Sequence, residues 1–157
     1  HWRNNVIFLY TDGGCQKQLK TGFLRKLGAW AYLISDGKQR SHAHGTAMST
    51  SDNAMALTAV NEGLRAVTVP SNIQIIVNSE YLMNGITIWL YTWKNNGWKT
   101  RDNKPVANRE HWEALEKAIE FHKQVTVKHV DSRTGGSENG FVGKLCQLAI
   151  AEVMSGM

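Results

Sequence analysis

Between Tyr81 and Lys104 the chain interleaves flat rings with cations: Tyr81, Trp89, Trp93 and Trp98 alternate with Lys94, Lys99, Arg101 and Lys104. Cations pair with phosphates and flat rings stack on sugars or bases, so these types together suit a nucleic-acid-binding surface. Packing is the competing use of a tryptophan. Trp98 and Trp112 are assigned to the core on this reading, and Trp93 is divided between core and surface. Ser51 and Asn108 stand where periodic segments begin, and both are good helix N-caps.

Such side chains need a scaffold. A chain of 157 residues, 42% of them apolar, is long enough for one domain with a real core, taken to span residues 1–157. A net charge of +5 and a pI near 9.3 favour polyanionic partners. No stretch approaches 18 consecutive apolar residues, which excludes a membrane-spanning helix. No secretory leader pattern is present, and Cys15 and Cys146 fit no metal spacing, so reduced thiols and an intracellular site, nuclear or cytoplasmic, are expected. The chain starts at His1 rather than Met, so a piece of a longer protein is expected.

The periodicity alternates between strand and helix. Val6–Tyr10 is an unbroken apolar run, as in a strand covered on both faces, and 28–35 and 40–47 read as two strands joined at Asp36-Gly37. From Asp52 the period turns helical, with Leu57, Val60, Leu64 and Val67 on one face and Pro70 ending the segment. Ile73–Val77 is the next strand. A tryptophan-rich helical stretch follows from 81 to 94, then a helix capped by Asn108 with the stripe Trp112, Leu115, Ile119 and His122. A fifth strand at 124–130 and a last helix from about Asn139 complete the order β-β-β-α-β-α-α-β-α. That order predicts an α/β fold, a five-stranded mixed sheet flanked by helices.

Tyr10-Thr11-Asp12-Gly13-Gly14 resembles the first-strand motif of type 1 ribonuclease H. Asn84-Gly85-Ile86-Thr87, Trp89, Trp93-Lys94, Asn96-Gly97-Trp98-Lys99-Thr100 and Lys104-Pro105-Val106 resemble that family's basic handle, and the similarity runs along essentially the whole chain. It implies the ribonuclease H-like fold. It also implies cleavage of the RNA strand of an RNA–DNA hybrid by two magnesium ions held on four carboxylates, which clamp the attacking and leaving oxygens.

Against that pattern the chain departs at the centre. The first carboxylate position holds Asp12, but the other three hold Ala56, Asn78 and Gly143, and the position of the family's mobile histidine holds Arg133. One carboxylate does not assemble a two-metal centre, so no metal and no cofactor is expected. Asp52 is one turn before Ala56, where it points elsewhere. Hydrogen bonds from neighbouring backbone or from Asn78 would hold Asp12 in place of metal, and Asn beside Asp12 removes a like-charge repulsion. Arg133 and Lys144 flank the centre with positive charge.

For nucleic acid, the resemblance places Tyr81, Trp89 and Trp93 in a channel for the DNA strand, with Lys94, Lys99 and Arg101 keeping the handle basic. It places Ser51 and Asn108 in a phosphate pocket whose arginine position is Ser49. The expectation is therefore a catalytically inactive domain that binds RNA–DNA hybrid or duplex RNA without cutting it. The alternative is a protein-interaction scaffold. Its interface would be the Leu19–Leu27 region, with Leu19, Phe23, Leu24 and Leu27, together with Phe141, exposed at the surface.

Overall fold

The structure, a computed structural model, describes residues 6–16, 26–131 and 136–156. Strands β1 (Ile7–Cys15), β2 (Leu27–Ser35) and β3 (Arg40–Met48) form an antiparallel meander, and β4 (Asn72–Val77) and β5 (Gln124–His129) add to it in parallel. The sheet order is β3-β2-β1-β4-β5. Parallel neighbours need long crossovers, which helices supply. α1 (Asp52–Ala66) is the first. The second runs through α2 (Glu80–Asn84), a π-helical turn (Gly85–Trp89), α3 (Leu90–Asn95) and α4 (Arg109–Phe121), and α5 (Gly136–Ser155) closes the chain. The five-stranded mixed α/β sheet read from the sequence is the one observed.

Strand side chains alternate between faces, so each strand serves two cores. Ile7 and Leu9 of β1 with Tyr32 and Ile34 of β2 meet Leu57, Val60 and Leu64 of α1 and Trp112 and Leu115 of α4. On the other face Ala29, Ala31 and Leu33 meet Val142, Cys146 and Ala149 of α5. The alanines there let α5 lie close over the ends of the strands that carry the site.

Two boundaries differ from the sequence reading. β1 continues past Tyr10 to Cys15, because Gly14 and Cys15 still pair with Ala29 and Gly28 although the apolar run has ended. Gly13 permits this: a Cβ there would strike the Met55 carbonyl of α1. α5 begins at Gly136, before the apolar period that marks it from Asn139.

His122, read as part of the α4 stripe, is the buried residue just after that helix. Its Nδ1 accepts from the Ser71 N–H at 3.2 Å, so Nε2 is the protonated nitrogen and donates to the Leu64 carbonyl at 3.1 Å. One neutral imidazole thus ties together the ends of α1 and α4 and the entry to β4. Among the described residues no helix is long and apolar enough to cross a membrane.

Candidate functional site

The handle is built outward from Trp112, which is fully buried. Gly85 allows the handle to settle on it, since a Cβ at 85 would overlap the Trp112 ring. Tyr81 and Trp93 each lie with ring centroids 5.4 Å from Trp112, and Trp89 sits 6.1 Å from Tyr81 and 5.7 Å from Trp93. The π-helical turn carries Trp89, and such turns are frequent at functional sites. Trp89 and Trp93 then form one wall of an open 680 Å³ groove, completed by Ile88, Thr92, Asn96, Lys99, Thr100 and Arg101.

The structure thus brings Trp89, Trp93, Lys99 and Arg101 to one groove, with Tyr81 packed behind. Lys94 does not join them. Its Nζ lies 3.1 Å from Glu120 and 3.5 Å from Glu116, both on α4, and these partners hold its pKa above the usual lysine value, the hydrogen bond to Glu120 most of all. Ile88 and Thr92 were missed by the sequence reading, and Asn96 entered it only within the handle motif. They recur every four residues beside Trp89 and Trp93, a spacing that marks a shared helix face.

Ser51 and Asn108 part company. Ser51 caps α1, its Oγ accepting from the Ala54 N–H at 3.1 Å. Asn108 is not the side-chain cap expected. It sits in the left-handed region (φ 60°, ψ 30°) with no capping bond, and its Nδ2 donates to the Tyr81 hydroxyl at 3.3 Å. Trp98, half-buried, lies under the Arg109 guanidinium at 5.7 Å.

The centre lies where β1, β4 and α5 converge, in a 290 Å³ pocket lined by Asp12, Asn78, Asn139, Gly140, Gly143, Lys144 and Gln147. Asp12 Oδ1 accepts from the Gly13 N–H at 2.9 Å and from Asn78 Nδ2 at 3.2 Å. A Cβ on Gly143 would come 3.3 Å from Asp12 Oδ2, so α5 passes directly over this carboxylate. Ala56 is buried on α1 in the core, its backbone nitrogen part of the close contact with Gly13, and it does not line the pocket. Asp52 turns to the Cys15 N–H, 2.6 Å away. Cys146 donates to the Asp12 carbonyl at 3.5 Å, and burial, then the Asp12 charge, push its thiol pKa up to about 12.

Magnesium takes oxygen ligands in near-octahedral geometry and is bound through carboxylates. This pocket offers one carboxylate, already holding two protein hydrogen bonds, beside a lysine. Among the described residues no three His, Cys, Asp or Glu side chains come together. The donor set does not fit a pair of magnesium ions. Arg133 falls outside the described residues.

Of the residues expected to form a protein interface, the structure describes Leu27 and Phe141, and neither is exposed. Leu19, Phe23 and Leu24 fall outside the described residues. Leu27 is fully buried in β2, and Phe141 is half-buried, edge-on to His42 at 5.1 Å. Leu27 is apolar because it packs in the core, which spacing alone did not distinguish from exposure.

The RNase H family model matches residues 4–151. The ribonuclease H of Coxiella burnetii (strain Dugway 5J108-111) is 35% identical over 150 residues, covering 96% of this chain and 93% of its own length. That of Hydrogenovibrio crunogenus (strain DSM 25203 / XCL-2) is 37% identical over 147 residues, covering 94% and 97%. Among solved structures, LC9-RNase H1, a type 1 RNase H with the type 2 active-site motif, superposes with a TM-score of 0.79 at 22% identity, over 95% of this chain and 74% of its own. LC11-RNase H1 in complex with RNA/DNA hybrid gives 0.70 at 16% identity, over 94% and 99%. This chain belongs to the ribonuclease H family.

These relatives correct the functional expectation. The sequence expectation is a catalytically inactive binding module, from Ala56, Asn78, Gly143 and Arg133 at the centre, with a protein scaffold through the Leu19–Leu27 region as its alternative. The relatives agree with the chain along nearly its whole length and are named for the enzyme. Ala56, Asn78 and Gly143 describe the pocket, and the whole-chain similarity to relatives named for the enzyme points to an enzyme.

Proposed function

We propose that this chain engages RNA–DNA hybrid along the aromatic groove, and that ribonuclease H, the activity its relatives are named for, is the activity to assign to it. The whole-chain similarity to those relatives carries the reading. The groove supports it. Trp89 and Trp93 offer faces for sugars and bases, and Lys99 and Arg101 offer charge to phosphates along the same line. LC11-RNase H1, which shares the fold, was solved with RNA/DNA hybrid.

At the centre, Asp12 is the carboxylate that lines the pocket, and Asn78 holds it in one orientation. Lys144 lines the same pocket and brings positive charge to it. As a domain, residues 1–157 act as one unit in this reading.

The test is a labelled hybrid incubated with the purified chain in millimolar Mg²⁺ or Mn²⁺, with binding and cleavage read separately. Cleavage of the RNA strand that disappears in Asp12→Asn supports the assignment. Binding without cleavage keeps the hybrid and removes hydrolysis from the reading. A chain that neither binds nor cuts hybrid overturns it.

A further inference from the structure

Resting on the ribonuclease reading above, we propose that this centre cleaves RNA without divalent metal. Asp12 takes the proton of the RNA's own 2′-hydroxyl, and Lys144 supplies the positive charge and a proton for the leaving oxygen. The donor set is the starting point. A pair of magnesium ions needs several carboxylates, and this pocket offers one carboxylate and one ammonium. An ammonium in the wall repels a further cation and attracts a phosphodiester.

Both groups are uncommitted. The Gly13 N–H at 2.9 Å and Asn78 Nδ2 at 3.2 Å hold Oδ1 of Asp12, which fixes the carboxylate. Its Oδ2 accepts no hydrogen bond among the described residues, and it faces Gly143, where there is no side chain to cover it. Lys144 is exposed and makes no ion pair among the described residues, unlike Lys94, which Glu116 and Glu120 hold. Gly140, Gly143, Lys144 and Gln147 recur at three- and four-residue spacing, so one face of α5 carries the ammonium over the pocket.

The step balances without a co-reactant. The 2′-oxygen gives its proton to Asp12 Oδ2 and attacks the adjacent phosphorus. The 2′-O–P bond forms as the P–O5′ bond breaks, and the departing 5′-oxygen takes a proton from the Lys144 ammonium. Asp12 has gained one proton and Lys144 has lost one, and exchange with water restores both. The products are a 2′,3′-cyclic phosphate and a 5′-hydroxyl, whereas attack by water forms a linear phosphate end directly. A DNA strand has no 2′-hydroxyl, so its chemistry alone spares it. In-line attack also requires the RNA to leave its regular helical path at the phosphate that is cut.

The test incubates the full chain with RNA-labelled hybrid in EDTA and in millimolar Mg²⁺, and reads the new RNA ends by mass spectrometry. Cleavage rates should agree within about 2-fold between the two buffers, because no metal takes part in the step. Cyclic phosphate ends should appear in both. Lys144→Ala should slow cleavage by about 100-fold or more, the scale of general acid catalysis. Its thermal melt should match the wild type, since the side chain is exposed. Asp12→Asn, purified in the same way, should form no cyclic ends, which separates this chain from a contaminating nuclease. Cleavage that needs Mg²⁺ and forms only linear ends overturns the proposal and leaves the ribonuclease reading standing. An unchanged rate in Lys144→Ala, or cyclic ends that persist in Asp12→Asn, also overturns it. Hybrid left uncut in both buffers removes the ribonuclease activity itself, and the proposal with it.

Discussion

The handle and the centre lie on one molecule and are built on opposite plans. At the handle, a buried tryptophan supports three further rings and a run of side chains that reach solvent, including Lys99 and Arg101. At the centre, small or neutral residues lie beside one carboxylate: Asn78 and the Gly13 N–H hydrogen-bond Asp12, and Gly143 passes over it. A stacked aromatic surface is secured by many packing contacts, each of which also stabilises the fold. A set of carboxylates around metal is secured by little besides its ligands, and it costs repulsion when they are absent. The two regions can therefore vary independently within one fold.

The largest break in that contrast should come from Trp112→Ala. Removing a fully buried tryptophan should lower the unfolding free energy by about 3–5 kcal/mol in urea denaturation and take hybrid binding with it. Second, the two cations that line the groove should matter more than the one that faces away. Lys99→Ala with Arg101→Ala should weaken hybrid binding roughly 10-fold or more and flatten the log–log salt dependence by about 0.9 per lost contact, taking the B-DNA value as a guide. Lys94→Ala should change affinity by less than about 2-fold, because Glu116 and Glu120 already hold its charge. Equal losses would break the distinction.

At the centre, the buried Cys146 thiol gives a pH signature. Its pKa is raised from 9.0 to about 12, so above pH 9 the unfolded chain loses this proton while the folded chain keeps it. Stability from this group is fully present below pH 9 and falls as pH rises toward 12, by up to about 1.4 kcal/mol per unit. Cys146→Ala should remove that part of the slope above pH 9. Identical slopes in the two proteins would show that the thiol is not buried as described.

Gly143→Asp places a second carboxylate over Asp12, and without metal it should cost about 1 kcal/mol. Millimolar Mg²⁺ should recover part of that loss if the two carboxylates then share a cation, as seen by melting with and without the ion. The smallest effect is a control on the same helix. Gly140 has open space where a Cβ would go, so Gly140→Ala should stabilise by about 0.5–1 kcal/mol through helix propensity. A destabilised Gly140→Ala would mean the helix is held there by something other than local preference.

By itself the sequence determined the order of strands and helices, the family, and which residue types occupy the centre. Runs such as Ile73–Val77 and the 57-60-64 stripe are local periodicities, and motifs such as Tyr10–Gly14 are fixed spacings, so both are legible along one chain. Tertiary structure alone decided where individual side chains point. Lys94 resembles a groove residue in sequence, but Glu120, 26 positions away, takes its ammonium. Asn108 looks like a helix cap, yet the Tyr81 hydroxyl, 27 positions away, engages its amide. Leu27 reads as an exposed apolar residue and is core. The physical reason is the same in each case: long-range packing and charge set a side chain's direction and partner, and periodicity reports only neighbours within a turn or a strand.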